Sequence, residues 1–315
     1  MKDKTLRRFP DFLGIGANRG GSSWLYWMLA HHPEVWVPPL KEIHYFDRPN
    51  LGRRSVGMLD KQALVRMRDY LNGDSFRTTG DGLGANILWD LHYLLVPRGD
   101  LWYKNLFRPH TGQVTGELTP AYGILDEQTV QNIRRENPRL KVLFLVRHPL
   151  ERGWSSLVNN LARKQGRNIA QAGVDEMKKR IDARGFQLRS DYARTITLWR
   201  SVFGEDQLFV GFMEDVKADP AGLMRRVCEF LGVPPMDQAL FDSISRSVNS
   251  SKKFGGPMPE EVRRYMALSL LEKTQAVNTL LQSPYTAAWL ESVRAAAGDP
   301  AASSPPQPDE QADEL

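Results

Sequence analysis

Two hydrophobic rhythms alternate along this chain. Residues 9–16, FPDFLGIG, form a short apolar run ending in glycine; after a polar loop comes WLYWMLAHH, where Leu25, Met28 and Leu29 are spaced for one helix face. The pattern predicts strand, glycine-rich turn, helix. KVLFLV, residues 141–146, is the clearest buried strand, nearly all apolar and preceded by Asn137-Pro138, which ends a helix predicted over 126–136. QLFVGFM, 207–213, reads as a further strand, and Asp219-Pro220 then opens a helix running through Leu223, Val227, Phe230 and Leu231 to Gly232. Strands alternating with helices predict a single α/β domain with a central parallel sheet flanked by helices. Residues 48–110 are less periodic, with Gly80, Gly82, Gly84 and several aromatics, and read as an inserted helical and loop region over the sheet edge. The domain is expected to span 1–297; 298–315 is Ala/Pro/Ser-rich and acidic, cannot supply a core, and is expected to be disordered.

With 315 residues, 41% hydrophobic and 25% charged, the composition is that of a globular protein and excludes collagen, coiled coil and wholesale disorder. The single cysteine, Cys228, cannot form an internal disulfide, which points to a reducing, cytoplasmic setting, and its place on an apolar helix face predicts a packing role. The basic N-terminus lacks the apolar core of a signal peptide, and no apolar run reaches membrane-spanning length. Asp309, Glu310, Asp313 and Glu314 contain no basic residue among them, so setting these four aside raises the net charge of the remainder from +5 to +9. That excess suits an anionic ligand, but the bases lie in short scattered groups such as Arg134/Arg135 and Lys178-Lys179-Arg180, so nucleic acid is not an expected partner.

Gly14 to Ser23, GIGANRGGSS, falls between strand and helix start, where free N–H groups and the helix dipole favour an anion. It fits neither familiar nucleotide signature. The dinucleotide fingerprint has Arg19 where its third glycine belongs, and a Walker loop counted from Gly16 has Ser22 in place of its lysine. A phosphate would instead be held by Arg19, backbone amides, and Ser22 and Ser23; the alternative is a glycine-rich turn bearing an exposed arginine. KVLFLV runs into Arg147-His148-Pro149, with Arg152 and Ser155 beyond, so an arginine stands where nucleotide-hydrolysing P-loop proteins place an acidic magnesium ligand. Two anion sites at the carboxyl ends of neighbouring parallel strands suit a nucleotide with phosphates at both ends of its ribose.

Taken together, GIGANRGGSSWLYWMLAHHPEVWVPPLKEIHYFD, GELTPAY and VLFLVRHPLERGWSSL resemble the sulfotransferase family, in order and across most of 9–285. The resemblance implies a P-loop-like nucleotide-binding core and 3′-phosphoadenosine 5′-phosphosulfate (PAPS) as co-substrate. Its 5′-phosphosulfate would lie on Arg19, Gly20, Gly21, Ser22, Ser23 and Trp24, and its 3′-phosphate on Arg147 and Ser155. Asn249 to Gly255, with Ser251, Lys252 and Lys253, resembles the family's late loop over the 3′-phosphate and adenosine. The family usually carries lysine where this chain has Arg19, a change that keeps the charge but alters its geometry.

KEIHYFD, 41–47, follows Pro38-Pro39, and alternation in an extended segment would send Glu42 and His44 to one face. By resemblance to carbohydrate-type sulfotransferases Glu42 is the general base for the acceptor's hydroxyl, with Arg19 meeting the transferred group and His44 the second titratable candidate; the alternative for Glu42 is a surface pair with Lys41 or Arg48. Glu117, in GELTPAY, is either structural or a contact in the acceptor cleft, and Leu118 stands where heparan-type relatives commonly show lysine. His31, His32, His92, His110 and His148 have no metal-ligand spacing, so no metal is expected. Trp24, Trp27, Trp89, Trp102 and Trp199 read as core or cleft-wall residues.

The expected activity is sulfuryl transfer to a hydroxyl or amine of an acceptor, a neutral or weakly charged glycan, glycolipid or glycosylated metabolite. Two alternatives are a non-catalytic nucleotide- or anion-binding protein on the same fold and a nucleotide-dependent kinase. The kinase would need magnesium ligands that the motifs do not supply.

Overall fold

The computed structural model describes residues 9–47, 83–163, 172–248 and 256–298. The described residues cluster into two compact units, one from residues up to Arg147 and from Arg194 to 248, the other from His148 to Ala193 and from 256 onward.

The first unit holds five parallel strands: β1 (Phe12–Gly16), β2 (Val35–Trp36), β3 (Val114–Leu118), β4 (Lys141–Val146) and β5 (Leu208–Phe212), in the order β2-β3-β1-β4-β5. β1 and β4 are buried almost throughout, as their unbroken apolar runs require of strands covered on both faces. Helix α1 (Ser22–Ala30) follows β1 and packs Leu25, Met28 and Leu29 into a core shared with Leu143, Leu145, Leu223, Val227 and the thiol of Cys228. Burial pushes that thiol's pKa up to about 11, which fits packing and not chemistry. The described part of the insert is helical, as α2 (Leu83–Leu95) and α3 (Asp100–Lys104). Trp89, Tyr93, Trp102, Tyr103 and Phe107 from this stretch form an aromatic cluster with Phe9, Trp36 and Ile43.

Helix α4 (Glu127–Glu136) is capped by Asp126, whose carboxylate accepts the Thr129 N–H at 2.8 Å. Asp219 caps Pro220–Leu231 in the same way, and Gly232 closes that helix in a left-handed conformation. In the second unit, Pro149–Val158, Val174–Asp182 and the long helix Glu260–Leu281 share a core of Leu150, Leu157, Ile181, Val262, Met266 and Leu270. No helix among the described residues is long and apolar enough to cross a membrane. The expected disordered tail from 299 on lies outside the described residues, as does 48–82 of the insert.

Candidate functional site

β1 is central, and the chain leaves it in one direction toward β2 and β3 and reaches β4 on the other side. The loop after β1 therefore sits at the crevice where strand order reverses, the usual ligand position in an open parallel sheet. The Ala17 N–H donates to the Leu145 carbonyl at 2.5 Å and the Gly20 N–H to the Ala17 carbonyl at 2.9 Å, which ties the loop to the end of β4. A Cβ on Gly20 would lie 2.6 Å from the Leu145 carbonyl oxygen, so only glycine allows this approach. Gly21, with φ 98°, is the N-cap of α1 and gives its first turn no side-chain cap. The positive helix end, its N–H groups and Arg19 favour an anion here. Trp24 contributes only backbone to such a site, because its ring is 5% exposed in the core with Leu25 and Met28.

Lys41 reaches this loop from the next segment. Its Nζ donates to the hydroxyls of Ser22 and Ser23, each at 3.0 Å, and lies 3.7 Å from Glu42 Oε1. Glu42 Oε2 is 3.5 Å from His44 Nε2, while His44 Nδ1 is 2.8 Å from Asp47 Oδ2. A carboxylate, an imidazole and a second carboxylate are thus joined in series beside the loop. Burial alone would raise the Glu42 pKa, but the His44 hydrogen bond and the Lys41 charge outweigh it and hold the carboxyl below its ordinary value.

Glu42 and His44 meet as expected, but not through strand alternation. Neither lies in a strand, and both are non-glycine residues in the left-handed region, with φ 66° and 57°. Such a backbone costs roughly 1–3 kcal/mol per residue and persists only when its surroundings fix it. Here the Glu42 N–H donates to the Leu118 carbonyl at 3.1 Å and the Tyr45 N–H to the Tyr122 hydroxyl at 2.9 Å. Positive φ at Glu42 also breaks the alternation that would send Lys41 to the opposite face. The Lys41–Glu42 pair considered as the alternative is present, at 3.7 Å, with the Lys41 side chain 18% exposed and that of Glu42 38%. Arg48, the other partner considered, lies outside the described residues.

Glu117 lies beneath this segment, 1% exposed, and does not line the cavity beside His44. Its Oε1 accepts the hydroxyls of Tyr103 at 2.5 Å and Tyr122 at 2.9 Å, and its Oε2 accepts Thr119 at 2.7 Å. Burial raises its pKa, and the three donors offset only part of that. The Tyr103 ring stacks on Tyr45 at 4.1 Å and 8°, and the Tyr45 hydroxyl donates to Asp100 at 2.5 Å. Glu117 is thus the hub of a polar network that holds Tyr45, the residue next to His44. Leu118 packs its side chain on Gly14, so this strand end presents no cation.

A cavity of about 530 Å³ opens on the far side of His44, walled by Tyr45, Phe46, Trp102, Arg98 and Arg135 among others. His44 lines it together with these residues, whereas Glu42 and the loop do not.

Arg147 follows β4 directly in the first unit, half-buried; Ser155 lies in Pro149–Val158 of the second, also half-buried. Arg152, between them in sequence, is fully buried, donates to Ser190 at 2.5 Å and stacks 4.8 Å from the Phe186 ring centroid, a structural role. Ser251, Lys252 and Lys253 lie outside the described residues. The sequence reading named Lys41 only as a surface partner of Glu42, and passed over Asp47 and the two hub tyrosines. For Asp47 a signal existed, since it falls three residues after His44. Among the described residues, no group of three or more His, Cys, Asp or Glu side chains could hold a metal ion.

Residues 10–238 match the family model described as "Sulfotransferase family". The chain is 26% identical over 233 residues to heparan sulfate glucosamine 3-O-sulfotransferase 6 of Mus musculus, covering 72% of this chain and 53% of that protein. It is 28% identical over 243 residues to heparan sulfate glucosamine 3-O-sulfotransferase 3A1 of the same species, covering 74% and 48%. The chain thus spans about half the length of the curated relatives it matches. A sulfotransferase structure from Alicyclobacillus acidocaldarius superposes with a TM-score of 0.58 over 89% of this chain and 98% of that one, at 22% identity, a likeness of fold. With a family model running from β1 past β5, across the anion loop, the Glu42 segment and the arginine-terminated strand, the chain belongs to the sulfotransferase family.

Proposed function

We propose that this protein transfers a sulfuryl group from PAPS to a hydroxyl of an acceptor by in-line displacement, with Glu42 as general base. The observation that carries the reading is Lys41: the residue next to Glu42 reaches the Ser22 and Ser23 hydroxyls, which puts the carboxylate beside an uncapped helix start carrying Arg19. Family membership supplies the expected donor. Its phosphosulfate lies on the N–H groups of Gly20 to Trp24, the two serine hydroxyls and Arg19; by the family resemblance its 3′-phosphate is assigned to Arg147 and Ser155, and to Ser251, Lys252 and Lys253, which lie outside the described residues.

As the acceptor oxygen bonds to sulfur, the sulfur–oxygen bond to the 5′-phosphate breaks, 3′-phosphoadenosine 5′-phosphate departs, and the acceptor's proton passes to Glu42. A carboxylate held below its ordinary pKa cannot deprotonate an alcohol in the ground state. It accepts the proton only as the new bond forms and the hydroxyl becomes acidic, which is general base catalysis in the transition state. Arg19 answers the charge building on the leaving phosphate. A binding protein without catalysis would not require a carboxylate, an imidazole and a second carboxylate in series beside the anion loop.

The relatives that match act, by name, on heparan sulfate, and this favours a carbohydrate-type acceptor. Leu118 is buried and offers no charge where, by the resemblance above, heparan-type members commonly carry lysine, which argues against a heavily charged one. Calorimetry tests the donor: 3′-phosphoadenosine 5′-phosphate binds without added metal and far more tightly than AMP or ATP. Equal affinity for nucleotides with and without the 3′-phosphate would refute the role of Arg147 and Ser155. Glu42→Gln keeps that affinity and lowers turnover by about 10²-fold or more; intact turnover would remove Glu42 as the base.

A further inference from the structure

We propose that Lys41 is a second cation of the donor site, shared between the donor's 5′-phosphosulfate and the Glu42 carboxylate, so that one side chain serves both donor binding and the state of the base. The inference rests on the donor reading above.

An ammonium has three N–H donors. Two of those of Lys41 go to neutral hydroxyls at 3.0 Å, nearer than its carboxylate neighbour at 3.7 Å. A buried ammonium whose function was to pair with Glu42 would close that gap. Instead it is anchored on the first two residues of α1, directly after Arg19-Gly20-Gly21. Its surroundings add positive sources: the helix end, whose first turn has no acidic residue, and Arg19, which lies close enough to oppose its charge. Desolvation, the larger effect, lowers its pKa further, and only Glu42 works in the other direction. Cations assembled at a positive helix end gain most from an anion bound among them.

The serines sharpen the point. Each hydroxyl that accepts from Lys41 retains its own proton to donate, so both are polarised by the ammonium toward an incoming oxyanion. Lys41 is also one of the groups that hold the Glu42 carboxyl down. Donor and base therefore draw on one charge, and linkage makes the effect reciprocal.

The test compares wild type with Lys41→Met in two measurements that need no acceptor: calorimetric affinity for 3′-phosphoadenosine 5′-phosphate, and the Glu42 carboxyl titration followed by carbon NMR, assigned with Glu42→Gln. Lys41→Met is expected to weaken nucleotide binding by about tenfold or more and to raise the Glu42 midpoint. Lys41→Arg, which keeps the charge, restores most of both. If Lys41→Met does not fold, Lys41→Gln keeps a donor for the hydroxyls without the charge and is expected to show the same two shifts. Unchanged affinity, or an unmoved Glu42 midpoint, in a folded variant overturns the shared role while leaving the donor reading standing. Absence of nucleotide binding by the wild type overturns the donor reading and this inference with it.

Discussion

His44 stands between two carboxylates at different distances, and the difference assigns its nitrogens. Nδ1, at 2.8 Å, is the nitrogen hydrogen-bonded to Asp47, and Nε2 is the one that faces Glu42 at 3.5 Å. A proton that reaches Glu42 can be shared with Nε2 only while Asp47 keeps this orientation. Asp47 is thus a positioning residue, as the orienting carboxylate is in other base–imidazole pairs. Asp47→Asn is expected to lower kcat by about 10-fold to 100-fold, in line with loss of an orienting partner. Nucleotide affinity should stay near wild type, because Asp47 makes no contact with the loop. A fall in affinity equal to the fall in kcat would show that Asp47 supports the fold of the whole site and does not act through His44.

At the scale of elements, the site is one strand, one loop and one strained segment held together by hydroxyls. Tyr122 gives its proton to Glu117 and accepts the Tyr45 N–H, so removing that hydroxyl leaves a backbone donor unpaired beside two left-handed residues. Tyr122→Phe should destabilise the protein by about 1–3 kcal/mol and reduce kcat more than nucleotide affinity; a loss confined to affinity would contradict the network's role. Glu117 adds a pH signature. Its raised pKa means that the native state keeps the proton longer than the unfolded chain does, so its contribution to stability is lost as pH rises from the ordinary glutamate range through the native pKa. The stability deficit of Glu117→Gln should therefore be largest at and below the ordinary glutamate range and shrink as pH rises through the raised native pKa, as denaturant melts at several pH values would show. A deficit that grows with pH would mean that the carboxylate, and not the acid, is the stable buried form.

The same elements show what the sequence could disclose. β1, β4 and β5 were legible as apolar runs, and the helix start at Asp219-Pro220 as local chemistry, because each depends on residues adjacent in the chain; the cap at Asp126 was placed inside its helix. β3 was not legible, since VTGEL buries Thr115 and Glu117, and the hydroxyls that satisfy the glutamate include those of Tyr103 and Tyr122, outside the strand. β2 is two residues long and carries no periodicity. Motif and resemblance identified Arg19, Glu42 and His44 as candidates. They could not bring Lys41 to the loop, because that depends on a backbone sign at Glu42 that no alternation rule predicts.

For the molecule as a whole, the proposed acceptor choice turns on the cavity beside His44. The cavity beyond His44 has the size of a small-molecule site and not of a groove along a polymer. Its walls mix aromatic faces, Tyr45, Phe46 and Trp102, with two arginines, Arg98 and Arg135, and two carboxylates, Asp100 and Glu136, so the charges balance; Arg98 lies 5.3 Å from the Trp102 ring centroid, and Asp100 is engaged by Tyr45. Aromatic faces suit the apolar face of a sugar ring or an apolar aglycone. A polyanionic chain would need several cations in a row, and Leu118 withholds one at the strand end nearest Glu42. The whole chain's excess of +5 is scattered and does not supply such a row. Under one set of conditions, with labelled PAPS and mass-spectrometric readout, neutral glycosides and glycolipids should be sulfated in preference to heparan-like oligosaccharides, simple phenols and tyrosine peptides. Arg98→Ala should then raise KM for the preferred glycoside with little change in kcat, since it removes a wall and not a reacting group. Preference for the heparan-like or peptide acceptors would overturn this choice of acceptor while leaving the proposed sulfuryl transfer untouched.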